Sequence, residues 1–195
     1  MSGDADTSGY YEPHATLALA RPLALAGFCG AGVELIAHSI AARTGLGFTS
    51  TDRALEHALG LSLALALATW GAAAIRDHER RILQRLVVAR PPQVIALGES
   101  ALVDPTTRAL VREHTTLIYL EATPAELFAR ILDARRRDPS RFMHLLPPGL
   151  EGADALVPLL AEREPGYQAA LHALPIRGRH PHRLAEAIVE LVAPP

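Results

Sequence analysis

Gly27 and Gly32 stand between an apolar stretch and a helical pattern. The segment Leu23-Ala24-Leu25-Ala26-Gly27-Phe28-Cys29-Gly30-Ala31-Gly32-Val33-Glu34 reads as strand, glycine turn, helix, in the frame G-x-x-x-x-G-K-[ST]. Glycines in such a turn let backbone N–H groups close around phosphate oxygens at a helix N-terminus. Gly27, Gly30, Ala31, Gly32, Val33 and Glu34 are therefore the candidate anion cradle. In that frame a lysine neutralises the outer phosphates and a hydroxyl holds a divalent cation. Those two places hold Val33 and Glu34. The competing reading of the glycines alone is an ordinary tight turn between strand and helix.

Charge decides how much that substitution matters. A unit charge pair at ~4 Å and an effective dielectric of ~20 is worth about 4 kcal/mol, and each 1.4 kcal/mol is about tenfold in affinity. Losing a lysine forfeits attraction of that order, and Glu34 adds repulsion toward a triphosphate. No lysine occurs anywhere in the chain, whose 19 basic residues are all arginine. Arginine forks onto carboxylates and phosphates but does not replace a compact ammonium. Two routes back to nucleotide binding remain: a lid arginine, and a divalent ion held directly by Glu34.

Positioning these residues takes five strands alternating with helices. The apolar runs predict strands at 22–26, 47–50, 93–98, 116–121 and 173–177. Helical spacing predicts helices at 33–43, 52–57, 61–69, 72–88, 105–113, 124–135, 154–171 and 181–191. Pro105 sits in a first turn, where its missing N–H costs nothing. Alternating strands and helices imply an α/β domain with a parallel sheet and helices on both faces. Residues 136–152, rich in Arg, Pro and Gly without a period, read as a lid loop. Residues 1–20 read as a flexible tail ahead of one domain spanning 21–195.

Composition narrows the function classes. With 195 residues, 49% of them hydrophobic, the chain suits one cored domain. A net charge of −2, with Arg135-Arg136-Arg137 the one basic block, argues against nucleic acid. A single cysteine, Cys29, and a polar beginning fit a cytoplasmic protein. The uncharged run from Leu61 to Ile75 is short for a membrane span and reads as a buried helix.

Together these residues resemble the shikimate kinase family from about Leu23 to Leu191. Glu162-Arg163-Glu164-Pro165-Gly166-Tyr167 matches the family's E-R-x-P-x-Y stretch. Ile75-Arg76-Asp77-His78-Glu79 matches its Phe-Arg-x-x-E stretch, and Ile118-Tyr119-Leu120-Glu121-Ala122-Thr123 its fourth strand and exit. The resemblance implies a three-layer P-loop kinase fold with ATP and Mg²⁺ as cofactors. It also implies a shikimate-like carboxylate ligand. Asp52, Arg76, Gly98 and Arg163 would bind that ligand, and Asp52 would be the catalytic base. Arg141 would reach the nucleotide from the lid.

Departures from the family fall on one side. Its D-x-D pair is Ser50-Thr51-Asp52 here, so the metal-side aspartate is Ser50. With Glu34, Ser50 is what remains as a candidate metal ligand. The triple glycine after the third strand is Gly98-Glu99-Ser100, where Glu99 would repel a carboxylate or pair with an arginine. Ligand-side groups are retained and nucleotide-side groups are lost. The expectation is a small-molecule binding or regulatory module with an impaired nucleotide site, monomeric or with a protein partner. The alternative is an active ATP-dependent kinase with divergent metal handling. Simpler roles stand beside these: Asp52 as a helix N-cap, Arg76 and Arg163 in surface ion pairs, His180 and His182 solvent-exposed, and Cys29 as packing.

Overall fold

The computed structural model describes residues 17–138 and 152–194. Five parallel strands form one sheet: β1 (Leu23–Ala26), β2 (Gly47–Ser50), β3 (Gln93–Ala96), β4 (Thr116–Glu121) and β5 (His172–Pro175), in the order β2-β3-β1-β4-β5. Every residue of β1 is buried. A central parallel strand is covered on both faces, so it reads as a continuous apolar run rather than an alternating one. β5 lies at the edge, and its burial alternates.

The helices are α1 (Val33–Thr44), α2 (Thr51–Leu59), α3 (Leu63–Leu86), α4 (Pro105–His114), α5 (Pro124–Arg137), α6 (Val157–Tyr167) and α7 (Pro181–Val192). They cover both faces of the sheet. Leu23, Leu25, Ile36, Ile40, Ile95, Leu117 and Ile118 are among the fully buried residues of the main core. Each such side chain contributes ~1.5–3 kcal/mol on leaving water. Their removal from solvent fixes the sheet against α1 and α7.

Local chemistry sets the helix ends. α5 opens with a capping box, in which the Thr123 hydroxyl accepts from Glu126 N–H and the Glu126 carboxylate accepts from Thr123 N–H. Asp104 caps α4 by accepting from Thr107 N–H at 2.8 Å. The same carboxylate accepts from the Thr107 hydroxyl, and these bonds hold its pKa below the usual range. The break expected between residues 69 and 72 is a kink at Gly71, whose φ of 76° lies in the left-handed region.

Several expectations need correction. The run from Leu61 to Ile75 is not a buried helix: Ala66 and Ile75 are buried, whereas Leu65 and Trp70 are about half exposed. One face of this arm packs on Leu55 of α2, and the rest faces outward. Among the described residues no single helix is long and apolar enough to cross a membrane. The fifth strand begins at His172 and ends at Pro175, and α6 stops at Tyr167 rather than continuing to Leu171. Arg136 and Arg137 of the expected lid belong to α5. Residues 139–151, Arg141 among them, lie outside the described residues. Leu17 is buried and Leu19 packs on the core, ahead of the expected start of the domain at 21.

Candidate functional site

The glycine turn and the C-terminal ends of β2 and β3 open onto one cavity of about 730 Å³. In open α/β sheets, ligands bind where the carboxyl ends of the strands leave such a crevice. Cavities of this size hold small organic molecules.

On one wall, Gly30 and Gly32 adopt φ near 89° and 83°, which side chains rarely tolerate. Ala31 N–H donates to Phe28 O at 2.9 Å and closes the turn. Val33 packs beside Gly27: a Cβ at Gly27 would meet Val33 Cγ2 at 2.9 Å and Ala31 Cβ at 3.0 Å. Glu34 stands in the first turn of α1 and pairs with Arg53 of α2. A carboxylate at a helix N-terminus suits the macrodipole. It also places negative charge where a polyphosphate needs a cation.

Ser50 ends β2 and caps α2, its hydroxyl accepting from Arg53 N–H at 3.4 Å. That corrects the simpler reading of Asp52, which is not the N-cap but the second residue of the helix. Thr51, one residue earlier, is buried, and its hydroxyl accepts from Gly98 N–H at 2.7 Å. This bond ties the exit of β2 to the exit of β3 and sets Asp52 against Gly98. A Cβ at position 98 would collide with Asp52 Oδ1 and lie 3.2 Å from Glu79 Oε1. Gly98 is thus demanded by close approach. Its N–H is engaged by Thr51.

Glu79 was not among the expected site residues. It is 5% exposed and lines the cavity. A signal for it existed: Glu79 follows Ile75 and precedes Leu83 at steps of four, on the buried stripe of α3. Burial first, and then the charges of Asp52 and Glu99, push its pKa up to about 8, against a small opposing effect of Arg76. Burial likewise pushes Asp52 up to about 6, helped by Glu99, Glu34 and Glu56. These are groups whose charged forms are disfavoured by lost solvation and by one another.

The expected arginines part company. Arg76 is exposed on the cavity rim, with no ion pair among the described residues. Arg163 is buried and already engaged. Its Nε and Nη2 donate to Glu99 Oε1 at 3.1 and 2.7 Å, and its Nη1 donates to Glu162 at 2.9 Å and to Leu159 O at 3.0 Å. The guanidinium carbon also lies 5.7 Å from the centre of the Phe28 ring. Burial pushes the Glu99 carboxyl upward, and the Arg163 bonds pull against that. Gly166, on the same helix, lets α6 approach the loop after β3: a Cβ there would meet Leu102 Cβ at 2.6 Å. Tyr167 then stacks on Tyr119 with centroids 4.4 Å apart.

The two histidines stay outside the cavity, whereas Cys29 lines it. The His180 ring caps α7 and stacks on His182, which contacts the Ser39 hydroxyl at 3.2 Å. Cys29 is buried in the turn. Among the described residues, no group of three or more His, Cys, Asp or Glu side chains is arranged to hold a metal ion.

A parallel sheet in this order, with a glycine turn leading from β1 into α1 beside a cavity at the strand ends, defines a P-loop kinase-type domain. The family model for shikimate kinase matches residues 29–193. Shikimate kinase of Paracidovorax citrulli is 35% identical over 167 residues, covering 84% of this chain and 87% of that protein. The Caulobacter vibrioides enzyme is 34% identical over 172 residues, covering 87% and 81%. The chain belongs to the shikimate kinase family. Among solved structures, shikimate kinase of Acinetobacter baumannii in complex with shikimate superposes with a TM-score of 0.77 at 22% identity, covering 88% of this chain and 92% of that one. A sugar kinase from a Janibacter species superposes less closely, at 0.58. These likenesses of structure bear on the fold.

Proposed function

We propose that this chain is a member of the family that binds a small hydroxylated molecule, as a binding or regulatory module, and does not carry out phosphoryl transfer from Mg-ATP. The observation that carries this reading is Val33 packed beside Gly27 and the carboxylate of Glu34 next to it, where the frame calls for a lysine and a hydroxyl. Triphosphate recognition needs fixed positive charge at the helix N-terminus. Here that place holds an apolar side chain and a carboxylate, and Ser50 spends its hydroxyl on a cap. The residues present do not fit Mg-ATP. Asp52, Gly98 and Arg76 would line the ligand pocket, Arg163 would brace it through Glu99, and a cytoplasmic location belongs to the same reading.

Titration calorimetry with Mg-ATP tests it: affinity weaker than ~1 mM is expected, and micromolar binding overturns the proposal. One observation favours a second reading, an active small-molecule kinase. Asp52, with its pKa near 6, is poised to accept a proton from a hydroxyl. ADP release dependent on shikimate, lost in Asp52→Asn, would establish that reading over the first.

A further inference from the structure

The ligand side of the cavity is built for a charge opposite to the one the family resemblance leads one to expect. Its deep floor, around Gly98, carries the carboxyl groups of Asp52, Glu79 and Glu99. Among the described residues only one guanidinium, that of Arg163, reaches this depth, and it is bound to Glu99 and Glu162. Glu99 accepts both of its bonds through Oε1, and its other oxygen, Oε2, is buried with no partner among the described residues. Glu79 is buried, and no hydrogen bond or ion pair joins it to any described residue. Such groups are costly unless something completes them.

We infer that Glu99 takes up the arginine fork that a ligand carboxylate would otherwise occupy, and that the floor beside it receives a small organic cation, an ammonium group on a hydroxylated ring. An ammonium offers three donors to carboxyl oxygens lacking partners. A ligand carboxylate in the same place meets three acids, and among the described residues the one guanidinium at that depth is already paired. The other arginines lining the cavity do not reverse this. Arg76 is exposed at the rim, where water screens it. Arg137 pairs with Asp133, and both it and Arg130 stand on α5 on the glycine-turn side. The cavity volume suits an organic cation rather than a bare metal ion.

The inference rests on the reading of this cavity as a small-molecule site and is independent of whether ATP binds. Its test is calorimetry with three probes sharing one ring: shikimate, its methyl ester, and the analogue whose carboxylate is replaced by an aminomethyl group. Wild-type protein is expected to bind the ammonium at least ~10-fold more tightly than the carboxylate, with the ester between them. Glu79→Gln and Glu99→Gln keep the side-chain shapes, and each is expected to narrow the gap. Glu99→Gly, which empties the arginine fork, is expected to gain affinity for shikimate. Tighter wild-type binding of shikimate than of the ammonium overturns the inference, as does the absence of heat with all three probes. Micromolar Mg-ATP binding alongside a preference for the ammonium would remove the proposed function and leave this inference standing.

Discussion

The glycine turn and the floor at Gly98 line the same cavity, and they have been altered in opposite ways. At the turn the backbone keeps its left-handed glycines while the side chains reverse its charge: Val33 packs beside Gly27, and Glu34 finds Arg53. At the floor, among the described residues, Glu79 carries no hydrogen bond or ion pair and one oxygen of Glu99 is buried without a partner. A carboxylate paired with an arginine offers a polyphosphate no cation. An unsatisfied one holds free energy in reserve for a ligand. The difference teaches that a glycine frame preserves backbone shape alone, whereas ligand preference follows from which polar groups lack partners.

The contrast breaks most sharply if the charge of the turn can be restored. Val33→Lys combined with Glu34→Thr restores the frame's lysine and hydroxyl. It is expected to raise Mg-ATP affinity by roughly two to three orders of magnitude, in line with a charge contribution of up to about 4 kcal/mol. Calorimetry reads it directly. No gain would mean that the backbone cradle itself is lost.

The floor is sharpened by its pH dependence. Glu79 has a folded-state pKa of about 8, raised from a reference of 4.5. The folded state therefore binds the proton more tightly than the unfolded state does. The stability tied to that proton is present below about pH 4.5 and is lost as pH rises through 8. The slope is at most ~1.4 kcal/mol per pH unit, and a total of about 3 kcal/mol is expected after allowance for the neighbouring acids. Glu79→Gln should flatten this dependence and raise the Tm at pH 8. Thermal melts of both proteins from pH 5 to 8 check it, and parallel curves would show that Glu79 titrates normally.

The smallest effect calibrates the others. Thr123→Ala removes half of the capping box on α5, away from the floor. It is expected to cost about 1 kcal/mol in denaturant unfolding and to leave ligand preference unchanged.

Much of the fold was legible in the chain. The apolar tetrad before Gly27, the run from Thr116 to Glu121, the prolines in the first turns of α4 and α5 and the break at Gly71 are local signals, because strand burial, caps and left-handed glycines act within a few residues. The same signals displayed the missing lysine and hydroxyl. They misplaced the outer face of the helix after Leu61, because an apolar sequence does not say which of its sides finds a partner. Tertiary structure alone decided the state of the site. Arg163 meets Glu99 across 64 positions of chain because β3 and α6 converge at the cavity. Thr51 reaches Gly98 because β2 pairs with β3. Glu79 of α3 comes to lie beside Asp52 of α2 at Gly98. Contacts between distant elements depend on sheet order and helix approach, and no spacing within one segment encodes which charge will be left buried without a partner.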